Sequence, residues 1–544
     1  MLKSFNKISL SINYHFLIIL VSAYITLCLN HSFYEVFDRL ARGANFGYLV
    51  WVKYFIYTAI LALAFEILSV RLSVKYILSF IVLLSSVCGF YMESLGVVFD
   101  EDIIQSVFET HFGEALDMVS FGLVVHVLIF GVLPCVGVFY TQLKRPTLMR
   151  ALRQKLVCML ALLALVGGSY MLVGKDIVFV FKSKSQKSLE NILNPISPIR
   201  SLVQYWQHSK EQDFQHILVA QDAKLADSTP PQVVVFFIGE SARSANFSLN
   251  GYARETNPYT ESIRDRAKSG GADSEALISF KNFYSCGVIT AISVPCMLTH
   301  YTRETYVHRN LSLYVNNILD IAQSVGYDVW YLGNNSGRCV GGCDRNIHHK
   351  IFYPSDSVDG VMLSDMKDII KKARHNKQNT FIIVHGYGSH GASYASRYPK
   401  EFERFLPVCK QKELSKCTST EIVNAYDNSL LYTDWVLAQI VEVLQEDLAQ
   451  SPMRSMLWYV SDHGESLGEY GQYMHGGLGY TLAPEVQKHI PSILWFSKGW
   501  GELPRLAKAR EDKNLSHDYI FHTLLHILGV QTRDYDKNLD IFSE

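Results

Sequence analysis

Apolar residues crowd the first third of this 544-residue chain, and short apolar runs alternate with longer mixed stretches in the remainder. Five apolar runs, roughly 11–30, 47–70, 74–96, 119–142 and 153–174, are long enough to cross ~30 Å of hydrocarbon as helices. They predict an N-terminal bundle of five transmembrane helices over 1–175. The first run lacks a small-residue cleavage site and precedes four more, so it reads as a span and not as a removed signal. From 232 onward the apolar runs shorten to strand length. Strands are expected at 233–238, 278–283, 327–332, 380–385, 456–461 and 492–497, with helical segments such as 312–324, 359–374 and 420–445 between them. That alternation predicts a doubly wound α/β domain over 232–544. The stretch 176–231 reads as a linker closed by Ser228-Thr229-Pro230-Pro231. Within it Ser197-Pro198 has the form of a helix start, and 199–206 reads either as an amphipathic helix on a membrane surface or as ordinary linker.

Charge orients the spans. Lys3 and Lys7 precede the first, Arg71 and Lys75 flank the turn after the second, and Lys144, Arg145, Arg150, Arg153 and Lys155 crowd the connection before the fifth. The loop between the third and fourth carries Glu93, Asp100, Glu101, Asp102, Glu109, Glu114 and Asp117. By the excess of basic residues on the cytoplasmic side, the chain beyond about residue 175 is expected outside the cytoplasm. Cysteine usage agrees. Cys28, Cys88, Cys135 and Cys158 fall in the apolar runs and read as small apolar residues. The others form close pairs, Cys286 with Cys296, Cys339 with Cys343 and Cys409 with Cys417, which in an exported domain read as disulfides; zinc-binding thiolates are the alternative. The formal net charge of −1, with no basic, aromatic-interleaved stripe, gives no reason to expect a nucleic-acid partner.

Candidate chemistry follows the strand-like runs, where open α/β sheets build their sites. Glu240 follows the run 233–238 after a single glycine, Gly239, and Asp462-His463 follow 456–461. Carboxylate and imidazole are good zinc ligands, and a hydroxyl beside the metal becomes a nucleophile. Glu240 reads equally as a carboxylate at a helix N-terminus. Glu465 is a candidate to orient His463 or a solvated capping residue. Thr290 stands between Cys286 and Cys296, with Ser285 and Ser293 as rival hydroxyls in the same segment. His390 and His475 sit in glycine-rich loops, where either binds phosphate or a second metal, or is a surface residue; His385 competes for the same role.

These blocks resemble a known family. Gly239-Glu240-Ser241, Ser285-Cys286-Gly287 through Ser293-Val294-Pro295-Cys296, Asn334-Asn335-Ser336-Gly337, Gly388-Ser389-His390-Gly391 and Ser461-Asp462-His463-Gly464-Glu465-Ser466 are similar to those of the membrane phosphoethanolamine transferases that modify lipid A, which include transferable colistin-resistance enzymes. The resemblance spans the chain. It implies five spans in a bacterial inner membrane and a periplasmic domain of the alkaline-phosphatase/sulfatase type. It implies Zn²⁺ bound by Glu240, Thr290, Asp462 and His463, a second weaker zinc site, and Thr290 as nucleophile. It implies substrate binding by His390, His475 and Asn335, and by the loop from Val98 that carries Ser106, Thr110 and Glu114. The implied reaction moves phosphoethanolamine from phosphatidylethanolamine to lipid A phosphates through a covalent phosphothreonine-type intermediate, giving resistance to polymyxin, with a monomeric enzyme. The rivals are transfer to a core sugar or periplasmic glucan, a membrane-anchored hydrolase, and a scaffold with a vestigial site. Three positions depart from the family pattern: Ser106 replaces a common Asn, Val340 a common Lys and Val288 a second Thr. Arg338 is the candidate to restore the missing lysine charge toward substrate phosphate.

Overall fold

The computed structural model of the protein describes residues 11–43, 46–109, 115, 118–182, 186–211, 216–268, 275–335, 339–354, 357–448, 451–476 and 479–543. Thr110, Glu114 and Arg338 lie outside the described residues. The chain divides into two compact units, one holding Met1–Phe108 and Val119–Glu211 and the other Glu109–Met118 and Gln212–Glu544.

The first unit is helical. Leu49–Leu68, Val74–Ser94, Phe121–Tyr140 and Leu148–Val178 are each long and apolar enough to cross a membrane. The first expected span differs. Tyr14–Cys28 is a 15-residue helix, about 22 Å at 1.5 Å per residue, and qualifies only together with His31–Arg42, from which it is bent by 68°. The break is polar and closed internally. Asn30 donates to the Ile25 carbonyl at 3.0 Å, and Asn194 donates to Leu29 and Ser85 carbonyls at 2.8 Å each. Such pairing is what a helix break needs where water is excluded. A second irregularity has a covalent cause. Pro134 has no N–H to give the Phe130 carbonyl; the helix widens to a π-turn over Val127–Val132, and the Tyr24 hydroxyl donates to that carbonyl at 2.7 Å. The last long helix runs to Lys182, and Ile196–Glu211 is helical. On it Leu202, Val203 and Trp206 are exposed, while Ile196 and Ile199 pack on the core of the unit.

The second unit is an α/β sheet with helices on both faces. Its strands are β1 (Gln232–Gly239), β2 (Ala276–Tyr284), β3 (Asp328–Gly333), β4 (His349–Phe352), β5 (Thr380–His385), β6 (Arg454–Ser461), β7 (His489–Phe496) and β8 (Leu515–Ser516), in spatial order β8-β2-β7-β6-β1-β5-β3-β4. All pairings are parallel except those of β7, which runs antiparallel to both β2 and β6. Every residue of β1 is buried, as expected of a central strand covered on both faces. Val234, Phe236 and Ile238 join a core with helices Ile318–Ser324 and Ile520–Ile527, while Phe237 packs against Tyr459 on the alternate face, where Ser419–Leu448 lies. The six expected strands are present; β4 and β8 were not expected, being only four and two residues long at the sheet edges. The helix expected over 312–324 is split into a 3₁₀ turn, Arg309–Tyr314, and the helix Ile318–Ser324 capped by Asn317. The three disulfides are formed, and Cys28, Cys88, Cys135 and Cys158 are free.

Candidate active site

Because β1, β2, β5 and β6 point the same way, their C-terminal ends meet at one edge of the sheet. Glu240 follows β1 and Asp462-His463 follow β6. The two strands are paired, with Gly239 opposite Ser461, so the ligand candidates emerge side by side. Their ligand atoms lie within 4.8 Å of one another, and all three residues are fully buried. His463 Nε2 is 3.4 Å from Glu240 Oε1 and 3.1 Å from Asp462 Oδ2. Thr290 opens the helix Thr290–Met297, and its hydroxyl lies 3.2 Å from Glu240 Oε2 and 3.2 Å from His463 Nε2. At this end the helix dipole favours negative charge, whether an alkoxide or a phosphate. Ser285 and Ser293, the rival hydroxyls, are turned to the loop itself. Ser285 donates to the Gly287 carbonyl at 2.6 Å, and Ser293 accepts from the Gly287 N–H at 3.1 Å.

The backbone is tightly constrained here. Ser241, a non-glycine residue at φ 57°, turns the chain sharply after β1. Its N–H donates to Asp462 Oδ1 at 3.0 Å and its hydroxyl to Glu240 Oε1 at 2.7 Å. Gly388, at φ 48°, lies so close to Glu240 that a Cβ there would stand 2.7 Å from its carbonyl oxygen. Asp359 holds that glycine loop by accepting from the N–H groups of Tyr387 and Gly388 at 2.7 and 2.9 Å.

Electrostatics show what the cluster lacks. Burial pushes the Asp462 carboxyl up to about 7, and burial together with the Asp462 charge pushes Glu240 well above the carboxylate range. Burial lowers His463 to about 4, leaving it a neutral donor of electron density. Neither carboxylate pairs with a lysine or arginine among the described residues, and Asp462 Oδ2 is a buried oxygen with no hydrogen-bond partner. Two carboxylates, a neutral imidazole and a hydroxyl, converging without a counter-charge, fit a divalent cation of the zinc type.

Residues 232–530 match the sulfatase family, and residues 57–210 match the family described as phosphoethanolamine transferase EptA/EptB. Phosphoethanolamine transferase EptA of Salmonella typhimurium is 30% identical, over 96% of this chain and 95% of its own. The chain belongs to the lipid A phosphoethanolamine transferase family. Phosphatidylethanolamine transferase Mcr-1 of Escherichia coli is likewise 30% identical, with 96% of each chain covered. Among solved structures, the integral membrane protein lipooligosaccharide phosphoethanolamine transferase A of Neisseria meningitidis superposes with a TM-score of 0.88 at 26% identity, covering 98% of this chain and 99% of that one. The protein is therefore a phosphoethanolamine transferase, with the membrane-type helices and the sulfatase-like sheet of that family.

The remaining site candidates of the transferase fall into place unevenly. His390 is buried, and its nitrogen, one of His475 and a Glu240 oxygen lie within 4.8 Å of one another. The surface reading of His390 fails because Gly388 and Ser389 fold its loop down onto Glu240, where the Ser389 N–H donates to the Glu240 carbonyl at 3.0 Å. Glu465 corrects its expectation too. It is fully buried, not a solvated cap, and its carboxylate approaches His475 at 3.4 Å, while His463 Nδ1 is oriented by the Gly464 carbonyl at 2.9 Å. Asn335 donates to Glu240 Oε2 at 2.5 Å and so steadies a ligand candidate. His385 packs inside, 3.9 Å from the same oxygen. Ser106 donates to the Asp102 carbonyl of its own helix at 2.8 Å. Sequence reasoning assigned no role to Ser241 or Asp359. Only Ser241 carried a local signal, standing beside Glu240.

Proposed function

We propose that this enzyme transfers phosphoethanolamine from phosphatidylethanolamine to phosphate groups of lipid A, with Thr290 as nucleophile, from a multi-pass position in a bacterial inner membrane with the α/β domain in the periplasm. The observation that carries the reading is the Thr290 hydroxyl 3.2 Å from both Glu240 and His463. Zn²⁺ held by Glu240, Thr290, Asp462 and His463 would stabilise the ionised Thr290 hydroxyl and offset phosphoryl charge. The Thr290 oxygen attacks phosphorus in line, the bond to the diacylglycerol oxygen breaks, and that oxygen leaves with a proton as diacylglycerol. Phosphoethanolamine then rests on Thr290. An acceptor phosphate oxygen attacks the same phosphorus and releases the Thr290 oxygen. The helix N-terminus at Thr290 favours the anionic phosphoryl group, and positioning with charge neutralisation supplies most of the acceleration in such transfers.

His390 and His475 are proposed to bind phosphate oxygens and, at higher metal concentration, a second zinc with Glu240. Arg338, Ser106, Thr110 and Glu114 are proposed to contact the lipid substrates, and Asn335 to act through Glu240. Lipid A so modified carries less negative charge, which would lower its affinity for polymyxin. Mass spectrometry of lipid A from cells with and without the protein tests the reading. A phosphoethanolamine increment on lipid A phosphate is expected. An increment on a core sugar or periplasmic glucan would move the acceptor, and release of free ethanolamine phosphate alone would make the enzyme a hydrolase.

A further inference from the structure

Thr290 and its ligand candidates sit on strands that do not touch. Thr290 follows β2, Asp462-His463 follow β6, and β7 lies between the two strands. At about 4.8 Å per strand, their ends are roughly 10 Å apart. The Cys286–Cys296 disulfide does not bridge that gap, because both its residues belong to the segment that carries Thr290.

We infer that His517 is the positioning residue that ties the nucleophile segment to the metal-ligand strand. β8 pairs in parallel with the end of β2, Ser516 opposite Tyr284, which brings the next residue alongside the nucleophile segment. The His517 ring is buried and bonded at both nitrogens: the Cys286 N–H donates to Nδ1 at 3.1 Å, and Nε2–H donates to the Ser461 carbonyl at 3.0 Å. A backbone N–H only donates and a carbonyl only accepts, so the ring is neutral with its proton on Nε2. Burial, which lowers His517 to about 3, keeps it so at any working pH. On one side the tie meets Cys286, one residue from Gly287, whose N–H is bonded to Ser293 beside Thr290. On the other it meets Ser461, whose hydroxyl accepts from the Ala242 N–H at 2.8 Å and donates to the His463 carbonyl at 2.9 Å. The ring therefore sets the separation between the Thr290 segment and the Glu240 and His463 turns. A misplacement of about 1 Å between reacting groups costs up to about 100-fold in rate.

The inference rests on Thr290 being the nucleophile, and the test keeps the two separable. Full-length enzyme in detergent is given phosphatidylethanolamine and lipid A. Diacylglycerol release, phosphoethanolamine on Thr290, bound zinc and Tm are measured for wild type, His517→Ala, His517→Asn and His517→Gln. Asn carries an amide near the Nδ1 position and Gln near the Nε2 position, so each keeps one arm of the tie. His517→Ala is expected to lower kcat by about 10- to 100-fold, with Asn and Gln each recovering part of the loss and KM for the donor and zinc content unchanged. A folded His517→Ala with kcat within about threefold of wild type overturns the inference. So does loss of zinc in step with kcat in the Asn and Gln variants, which would make His517 a part of general folding; these two variants decide the matter where Ala fails to fold. A wild type that forms no adduct on Thr290 sinks the reading beneath it instead.

Discussion

Asp462 offers a test in which the sign of the pH dependence is fixed by the site. Its carboxyl rises from 3.8 to about 7 on folding because it is buried, and burial with the Asp462 charge raises the adjacent Glu240 as well. A carboxyl raised in the folded state contributes stability that is complete below its unfolded value and is lost as pH rises through its folded value. Metal-free enzyme should therefore lose stability between about pH 4 and pH 7. Three units at 1.36 kcal/mol each make about 4 kcal/mol an upper bound for Asp462 alone. At roughly 2 °C per kcal/mol for a unit of this size, the midpoint falls by up to about 8 °C. A cation held there should reverse the slope. It would bind the ionised carboxylates in competition with protons, so its stabilisation should grow as pH rises. The assay is thermal unfolding of the full-length enzyme in detergent from about pH 4 to pH 8, after chelation and after adding back Zn²⁺. Asp462→Asn should flatten the metal-free profile and remove most of the zinc-induced shift. A metal-free midpoint that stays level or rises over that pH range would refute the reasoning, as would an Asp462→Asn profile that keeps the wild-type slope.

Three further outcomes are expected. Thr290→Ala should lose at least about 1,000-fold in kcat while keeping its fold, and intact-mass analysis of wild type with donor lipid should map phosphoethanolamine to Thr290; an adduct on Ser285 or Ser293 would reassign the nucleophile. Gly464→Ala would put a Cβ 2.0 Å from the Val486 carbonyl oxygen, so it should destabilise by about 1–3 kcal/mol and lower bound zinc by moving His463, read by Tm and metal content. Arg338→Ala should raise KM for the donor about tenfold without changing zinc content, and unchanged kinetics under limiting donor would make Arg338 a bystander.

Legibility varied with how local the cause was. β1, β5 and β6 were readable because a central strand needs an apolar residue at every position, as in Val233 to Ile238. The edge strand His349–Phe352 was not, since it has one neighbouring strand and tolerates polar residues. Asp359 and His517 gave no sign in sequence. Their partners, Gly388 and Ser461, lie 29 and 56 residues away and meet them only through the sheet. The break at Asn30 was equally hidden, because its closing partner Asn194 is 164 residues distant.

Taken alone, the sequence determined the division into apolar helices and an alternating α/β unit and the cysteine pairs, and it marked Glu240, Thr290, Asp462 and His463 as candidates. All of these depend on residue type and short spacing. Only the tertiary structure decided that the Glu465 carboxylate lies 3.4 Å from His475, that His390 is buried against Glu240, and that His517 bonds both the segment before Thr290 and the strand end before Asp462. The reason is physical. A strand end determines which residue reaches the site edge, but which groups then meet depends on strand order and on buried hydrogen bonds between segments far apart in the chain.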